Sequence, residues 1–429
     1  MNAAKPQVNL NLNVRGMPAS ATVAINEHSN ELIAAGREVF KLGLGQSPFP
    51  VAEPVVEALR QHAHEKDYLP VKGLGRLRSA VAAYHERRDG LERAGEDVLI
   101  GPGSKELMFL LQLVFYGDLV IPTPAWVSYA PQAKIIGRQV RLVPTRPENE
   151  WRLGPNELAR LCEEDPGRPR ILILNYPSNP TGATHRTEEL EALAKVAAEH
   201  RVVLLSDEIY GELHHEGQHV SIARFYPEGT IISSGLSKWC GAGGWRLGTF
   251  LFPPSMRWLL DAMAAAASET YTSTSAPIQH AAITAFEGSD EIDLYLRRSR
   301  RILGALGRWC HRRMADADLS SSQPAGGFYL FPDFSAHAEA FAARGITDSS
   351  VLCEQLLEQT GVAILPGSFF GREPDELTAR LAYVDFDGDA ALQGLASMLD
   401  DAQVEEAFLR KYCGRVTTAI DRLCDWVSG

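Results

Sequence analysis

The sequence predicts an α/β protein. It has a large domain, built on a mostly parallel sheet flanked by helices, and a smaller α+β domain. The first observation is that short apolar runs in the middle of the chain alternate with helical patterns, which is typical of a parallel sheet. The second is that the last third of the chain mixes strands and helices without that regular alternation. The predicted strands of the large domain are, in chain order, DVLIG, DLVIP, RILILN, RVVLLSD, TIISSG and GTFLF.

One connecting helix is predicted within the segment THRTEELEALAKVAAEH, between two of these strands. Thr187 is expected to cap it, and Glu188 and Glu189 fall in the first turn, where carboxylates suit the helix dipole. The helix returns the chain to the next strand, so the three elements form a crossover unit. Its apolar stripe consists of Leu190, Leu193, Ala194 and Ala197.

The last third of the chain is predicted to begin with a long helix, from about Glu291 to Arg313. The RRSRR run inside it is interpreted as a solvated helix face. Strands follow in GGFYLFPDF, GVAILPG and ARLAYVDF, and the C-terminal segment 401–427 is predicted to be helical throughout. We expect residues 1–50 to form an N-terminal arm and part of the small domain, 51–290 the large cofactor-binding domain, and 291–429 the small C-terminal domain.

Charge and hydropathy argue against two classes of partner. The 429 residues carry a formal net charge of −12, which disfavours nucleic acid because phosphate binding needs a basic surface. No apolar stretch is long enough to span a membrane, and residues 1–16 lack the apolar block of a signal peptide. The six cysteines are scattered without a disulfide pattern, so a reducing, cytoplasmic location is expected.

No metal site is predicted from the histidines. His62 and His64, like the pair His214 and His215, have no companion ligands at a useful sequence spacing. We therefore expect these four side chains to be surface residues.

Unusual residues follow the predicted strands at the point where each strand ends, which is where open parallel sheets bind ligands. After DVLIG, Gly103 allows a tight turn, and Ser104 and Lys105 open a helix whose free amides favour a phosphate group. Taken alone, this pattern is also that of an ordinary turn. After DLVIP, Trp126 is either a core residue or an aromatic plane that stacks on a flat ligand.

Three further strand ends carry polar residues. After RILILN, Asn179 lies in a rigid turn, and its amide either donates to a ligand oxygen or merely shapes the turn. Asp207 ends an apolar run, so its carboxylate needs a partner, and Tyr210 can face the same cleft. After TIISSG comes Lys238, and Arg246 lies beyond it across the glycine-rich GAGG.

Together these residues describe one ligand, pyridoxal phosphate. Its flat ring suits Trp126, and its phosphate suits Arg246 and the Gly103 turn. Its ring nitrogen needs a carboxylate, its ring oxygen needs donors, and its aldehyde is captured by a lysine. A lysine Schiff base with an acidic partner for the ring nitrogen is the expected arrangement for this cofactor, which points to Lys238 and Asp207.

The sequence also resembles the class I/II aminotransferases, which are fold-type I pyridoxal-phosphate transferases. The likeness runs from SATVAINE to RLAYVDF, and its most specific pieces are NYPSNPTG and SKWCGAGGWRLG. The resemblance implies a seven-stranded sheet and a homodimer with shared active sites. It also implies transfer of an amino group between an L-amino acid and a 2-oxo acid.

The resemblance further implies roles for single residues. Lys238 is similar to the Schiff-base lysine, which also acts as general base and acid, and Asp207 to the partner of the ring nitrogen. Arg380 resembles the arginine that binds the substrate α-carboxylate, and Gly45 lies in a substrate loop. Tyr68 resembles a tyrosine that reaches the phosphate in the partner subunit's site. The other implied contacts are Asn179 and Tyr210 at the ring hydroxyl, with Asn179 also near the substrate, Trp126 on the ring, and Gly103, Ser104, Lys105, Ser234, Ser237 and Arg246 near the phosphate.

Two positions depart from many aspartate aminotransferases. Gly235 stands where those enzymes have a serine, so the phosphate contact at this position is either missing or made by Ser234 or Ser237. Tyr271 stands where they have an arginine for the substrate side-chain carboxylate. Lys105, however, matches a lysine that one subgroup, which includes prephenate aminotransferases, uses for a distal carboxylate; otherwise it is an exposed lysine at a helix start. The resemblance thus favours aspartate or glutamate as donor, with 2-oxoglutarate as acceptor.

The motifs leave alternatives open. A β-lyase or a cyclopropane-forming synthase uses the same cofactor machinery. A regulator that senses the cofactor is not expected, because neither the charge nor the residues before Ser20 suit a basic DNA-binding domain.

Overall fold

The computed structural model describes residues 9–399 and 402–429. Residues 1–8, which belong to the predicted N-terminal arm and to the segment in which no signal peptide is expected, lie outside the described residues. No helix within the described ranges combines the length and the apolar character needed to cross a membrane. The strands are β1 Phe40–Lys41, β2 Val98–Gly101, β3 Asp118–Thr123, β4 Val140–Pro144, β5 Arg170–Asn175, β6 Val203–Asp207, β7 Thr230–Gly235, β8 Gly248–Leu251, β9 Tyr329–Leu330, β10 Val362–Ala363, β11 Leu365–Pro366 and β12 Ala379–Ala382.

Helices surround these strands on both sides. The α-helices of the described residues are α1 Ala21–Ala34, α2 Glu53–His62, α3 Gly75–Asp89, α4 Ser104–Val114, α5 Tyr129–Ile135, α6 Pro155–Glu164, α7 Thr187–Glu199, α8 Arg257–Ser268, α9 Ala276–Glu287, α10 Asp290–Ala315, α11 Ala338–Ala343, α12 Ser349–Thr360, α13 Gly388–Ala396, α14 Glu406–Tyr412 and α15 Gly414–Ser428.

The central sheet has seven strands in the order β2-β8-β7-β6-β5-β3-β4. Every neighbouring pair is parallel except the two that involve β8, which confirms the predicted mostly parallel sheet. The seventh strand, β4, is not among the six apolar runs. It lies at the edge of the sheet, where Arg141, Leu142 and Pro144 are exposed, so its sequence lacks the continuous apolar character of the inner strands.

The inner strands are buried on both faces. In β5, Ile171 and Ile173 belong to a core cluster with α4 and α8, whereas Leu172 and Leu174 belong to a cluster with α6 and α7. This explains why the strand is a continuous apolar run. The predicted apolar stripe of α7 is confirmed, because all four of its residues are buried: Leu190, Leu193, Ala194 and Ala197.

The register of the sheet brings three strand ends level. Asn175 pairs with Asp207 between β5 and β6, and Asp207 pairs with Ser233 between β6 and β7. Polar side chains at these carboxyl ends therefore meet at one edge of the sheet, as the position of open-sheet ligand sites predicts.

Smaller sheets lie in the last third of the chain. Strands β11, β12 and β9 form an antiparallel sheet, and β1 pairs in parallel with β10. The predicted long helix is α10, and Ser289 caps it by accepting a hydrogen bond from the Ile292 amide at 3.3 Å.

Several local predictions are wrong in detail. The N-cap of α7 is Arg186, not Thr187, because the Glu189 carboxylate accepts from the Arg186 amide. The RRSRR run is not a fully solvated face, since only Arg297 of its arginines is exposed and Arg300 forms an ion pair with Glu212. The C-terminal segment is not helical throughout: residue 401 lies outside the described residues, 402–405 are non-helical, and α14 and α15 are separate helices.

The histidine predictions also need correction. His215 is buried rather than exposed, and its ring nitrogens lie 3.2 Å from the carbonyl oxygens of Pro324 and Gly327. His62 has companion ligands, because Glu65 lies three residues further along the chain and His280 faces His62 from a distant helix. The six cysteines are all free and buried.

Candidate active site

The turn after β2 forms a cradle at the N-terminus of α4. Gly103 has a φ of 99°, and a Cβ at this position would clash with the guanidinium group of Arg246. Ser104 is the first residue of α4, so the amides of this turn have no acceptor within the helix. Gly248 closes the cradle, because a Cβ on it would overlap the backbone of Gly103 and Ser104. The close approach of these backbones and of one cation suits a phosphate group.

The glycine-rich loop after β7 carries Lys238 and returns the chain to this cradle. Arg246 adopts a left-handed φ of 56° and donates from Nη1 to the carbonyl oxygen of Gly243 at 2.9 Å. The loop thus brings Arg246 against the turn that contains Gly103.

Gly235 lies too close to the neighbouring chain segment to carry a side chain. A Cβ on it would lie 2.6 Å from the carbonyl oxygen of Leu247. A serine does not fit this backbone, so a phosphate hydroxyl contact must come from another residue. The half-buried hydroxyls of Ser104 and Ser237 make no hydrogen bond within residues 9–399 and 402–429, whereas Ser234 is buried at 2% exposure.

Lys238 points into the cleft. Its Nζ donates to the carbonyl oxygen of Gly45 at 2.7 Å and lies 5.7 Å from the ring centroid of Tyr210. Burial lowers the pKa of Lys238 to about 8, and the positive charge of Arg380 contributes in the same direction. A lysine with such a pKa is neutral in about half of the molecules at pH 8.

Asp207 is a buried carboxylate without a cationic partner among the described residues. The Tyr129 hydroxyl donates to its Oδ2 at 2.6 Å, and the Ser233 hydroxyl donates to its Oδ1 at 3.3 Å. Burial raises the pKa of Asp207 to about 6, although both hydrogen bonds act against this shift. A positively charged ring nitrogen would supply the missing partner.

Arg380, like Asp207, is a buried charged residue without a partner of opposite charge among the described residues. Its side chain is 1% exposed, and no carboxylate within the described ranges pairs with it. Nη1 donates to Asn179 Oδ1 at 3.2 Å, Nη2 donates to the Gly43 carbonyl oxygen, and Nε has no acceptor. A guanidinium group that is buried in this way is suited to an anionic ligand.

Asn179, Tyr210 and Tyr329 are the other polar residues of the cleft. The backbone amide of Asn179 donates to Asn175 Oδ1 at 2.7 Å, which fixes the turn. The hydroxyls of Tyr210 and Tyr329 are 2.8 Å apart. Position 45 requires a glycine, because a Cβ there would overlap the Tyr329 hydroxyl.

Lys105 lines a cavity of about 1200 Å³ and lies next to Trp126. The Lys105 Nζ lies 5.1 Å from the Trp126 ring centroid, and no carboxylate of the described residues pairs with it. Trp126 is half-buried and packs edge-on against Tyr129, with the ring centroids 5.2 Å apart. Burial lowers the pKa of Lys105, and Arg246 adds to this effect.

Tyr68 is not brought into this cleft. Its side chain is 90% exposed and has no hydrogen bond within the described part of the chain. Tyr271 supplies no positive charge; it is half-buried, with its hydroxyl 3.5 Å from the Ile100 carbonyl oxygen.

Sequence reasoning missed the residues that support the predicted ones. Tyr129 and Ser233 hold Asp207, and Tyr329 holds Tyr210. The strand register would have indicated Ser233, but Tyr129 and Tyr329 reach the cleft only through the packing of separate elements.

The polar and charged groups of the cleft fit pyridoxal phosphate. The glycine cradle and Arg246 suit its phosphate, and the unpaired Asp207 suits its ring nitrogen. Lys238 suits its aldehyde and lies 5.7 Å from the Tyr210 ring centroid. The Tyr210 hydroxyl lies 2.8 Å from that of Tyr329, and Arg380 lies 4.9 Å from the Tyr329 ring centroid, so Arg380 is close to the same cleft. The fold and the site therefore define a fold-type I pyridoxal-phosphate-dependent enzyme.

Comparison with known proteins identifies the family. The model of the family described as aminotransferase class I and II matches residues 37–384, and the chain belongs to this family. The protein is a pyridoxal-phosphate-dependent aminotransferase.

Relatives with known names cover most of the chain. It is 32% identical to the aspartate aminotransferase of Bacillus subtilis over 380 residues, which are 86% of this chain and 93% of the relative. It is 33% identical to the aspartate/prephenate aminotransferase of Thermus thermophilus over 84% of this chain and 91% of the relative. The solved aspartate aminotransferase from Thermus thermophilus with maleate superposes with a TM-score of 0.83 at 29% identity, covering 98% of this chain and all of that one.

Proposed function

We propose that this aminotransferase prefers a dicarboxylic amino acid, aspartate or glutamate, as its donor and 2-oxoglutarate as its acceptor. The observation that carries the proposal is that neither Arg380, which is buried, nor Lys105, which lies over Trp126, has a carboxylate partner among the described residues. Arg380 would bind the α-carboxylate, and Lys105 would bind the distal carboxylate of the substrate. The aspartate and aspartate/prephenate names of the relatives support the same substrate class.

Each residue of the cleft has a task in the proposed mechanism. When bound, pyridoxal phosphate supplies a carbon that carries the amino group and a ring that accepts electrons. Lys238 would remove the proton from the substrate Cα as general base. As general acid, it would then return a proton to the cofactor carbon that carries the amino group. Its lowered pKa of about 8 makes the neutral amine accessible near neutral pH.

The remaining residues orient the reactants. Asp207 keeps a proton on the ring nitrogen, because its carboxylate is held by Tyr129 and Ser233. Asn179 and Tyr210 would bind the ring hydroxyl, and the Gly103 cradle with Ser104, Ser237 and Arg246 would bind the phosphate. Trp126 would lie beside the ring.

We also propose a homodimer in the cytoplasm. The exposure of Tyr68 supports its placement in the partner subunit's site, since it has no role in its own cleft. Six buried, unpaired cysteines support a reducing compartment.

The substrate proposal is tested by comparing Lys105→Gln with the wild type on aspartate and on alanine. We expect kcat/KM for aspartate to fall by about 10- to 100-fold, as for loss of one charged hydrogen bond, and kcat/KM for alanine to change little. An equal fall for both donors would contradict the assignment of Lys105. Release of pyruvate and ammonia without an oxo acid would instead indicate a lyase.

A further inference from the structure

A cluster of metal-ligating side chains lies outside the cleft, and we call it the His62 cluster. It consists of His62, His64, Glu65 and His280. His62 is the last residue of α2, Glu65 lies in the loop that follows, and His280 lies on α9, which packs against α2. One ligand atom from each of His62, Glu65 and His280 lies within 4.8 Å of the other two.

The contacts in this cluster are not hydrogen bonds. Glu65 Oε1 lies 3.7 Å from His62 Nδ1, 3.8 Å from His64 Nε2 and 4.0 Å from His280 Nε2. These distances are too long for hydrogen bonds, and His62 Nδ1 is a buried nitrogen with no partner. A buried polar atom without a partner calls for one, and three ring nitrogens around one carboxylate oxygen leave room for a cation.

The backbone holds the ligands in place. The Glu65 amide donates to the His62 carbonyl oxygen at 3.1 Å, which turns the chain so that both side chains lie on one side. The rings of His62 and His280 stack with centroids 4.7 Å apart and an interplanar angle of 23°. To bind one ion, these rings would have to turn from this stacked arrangement, because the lone pairs of their nitrogens lie in the ring planes.

The ligand types select the metal. Zn²⁺ binds histidine nitrogen and carboxylate oxygen at about 2.0–2.2 Å, in tetrahedral sites of three or four protein ligands. Ligand atoms of such an ion lie about 3.3 Å apart. Those of His62, Glu65 and His280 lie within 4.8 Å of one another, so side-chain rotations would bring them together around an ion. Calcium and magnesium are disfavoured because they prefer oxygen ligands.

We propose that His62, Glu65 and His280 bind a divalent transition-metal ion of the zinc class. The ion would connect the end of α2 to α9. Glu65 lies three residues before Tyr68, so binding would also fix the loop from which Tyr68 projects. The proposal does not depend on the substrate of the enzyme.

The test is a Zn²⁺ titration of the tag-free, cofactor-loaded full chain against a chromophoric chelator. We expect one ion per chain, and a rise of the melting temperature by about 4 °C when Zn²⁺ exceeds its Kd by about 100-fold. His280→Ala and Glu65→Gln should each weaken binding at least about tenfold. Co²⁺ in place of Zn²⁺ should show the visible absorption of a tetrahedral site.

A matched control is available on α1, where His28 Nδ1 and Glu31 Oε2 are 3.6 Å apart without a second histidine. His28→Ala should bind Zn²⁺ as the wild type does. Should His280→Ala fail to fold, as judged by circular dichroism, Glu65→Gln and His62→Gln answer the same question. Wild-type affinity in the folded cluster variants, or an equal loss in His28→Ala, would overturn the proposal.

Discussion

Asp207 and Glu208 are neighbours at the end of β6, and both are buried, at 3% and 1% exposure, yet their surroundings are opposite. Glu208 accepts from Arg88 at 2.5 Å and lies 2.9 Å from His219 Nε2. Asp207 accepts hydrogen bonds from two hydroxyls and from the Ile209 backbone amide, and none of these donors is a cation. Burial alone would raise the pKa of Glu208, but His219 and Arg88 keep it below its usual value, whereas burial raises the pKa of Asp207 to about 6.

The difference separates structural charges from functional ones. The protein itself satisfies Glu208, so this carboxylate contributes to the fold. Asp207, Arg380 and Lys238 are charged groups in one cleft for which the described residues provide no partner of opposite charge, and a ligand can provide it. Unpaired buried charges that face one cleft are a sign of a binding or catalytic site.

The largest effect is expected at the unpaired lysine. Lys238→Ala removes the general base and acid, so we expect kcat to fall by at least about 10⁴-fold while the protein still folds. The measurement is turnover with aspartate and 2-oxoglutarate, with circular dichroism to check the fold. Lys195→Ala changes an exposed lysine on α7 and should keep wild-type activity. Substantial turnover in Lys238→Ala would refute its role.

Arg88 and Arg380 should respond in opposite ways to substitution. Arg88→Met removes the arginine that pairs with Glu208 and Asp89, so we expect the free energy of unfolding to fall by about 3–5 kcal/mol. Arg380→Met removes an unpaired charge, so the unfolding free energy should fall by less than about 1 kcal/mol or rise, while KM increases. Denaturant unfolding and steady-state kinetics of both variants measure this. Equal destabilisation by the two substitutions would remove the distinction between paired and unpaired charges.

The sequence alone predicts the unpaired charges but not the ion pairs of Glu208. It indicates Asp207 as a site residue because an apolar run ends on this carboxylate, and Lys238 and Arg246 because a glycine-rich loop separates them. The partners of Glu208 could not be found, because Arg88 lies 120 residues away and meets it only through packing of α3 against the sheet edge. The same reason hides Tyr129, which reaches Asp207 across 78 residues, and His280 beside His62. Local patterns predict strands and their ends, whereas contacts between distant elements depend on the packing.

The pH dependence of stability should identify Asp207 in the protein freed of cofactor. Its folded pKa of about 6 exceeds the unfolded value near 3.8, so its contribution is fully present below about pH 4 and is lost as the pH rises through about 6. We expect the unfolding free energy of the wild type to fall by about 3 kcal/mol over this range relative to Asp207→Asn. Bound cofactor should reduce this fall, because the ring nitrogen gives the carboxylate a partner. An identical pH dependence in wild type and Asp207→Asn would show that burial does not raise this pKa.

The smallest effect is expected from Tyr129→Phe, which removes one of the two hydroxyls that Asp207 has in place of a cation. The Tyr129 hydrogen bond at 2.6 Å lowers the pKa of Asp207, so its loss should raise that pKa further and shift the acidic limb of the kcat/KM profile to higher pH. A hydrogen bond to a charged group contributes about 1.5–3 kcal/mol, which sets the upper bound of the loss in kcat/KM at about 100-fold. The matched control is Tyr176→Phe, because the Tyr176 hydroxyl is also buried but hydrogen-bonds the Ile222 amide and Ser206 instead of Asp207. Tyr176→Phe should lower stability and leave the acidic limb in place. A shift of equal size in both variants would mean that Tyr129 acts through general packing and not through its hydrogen bond to Asp207.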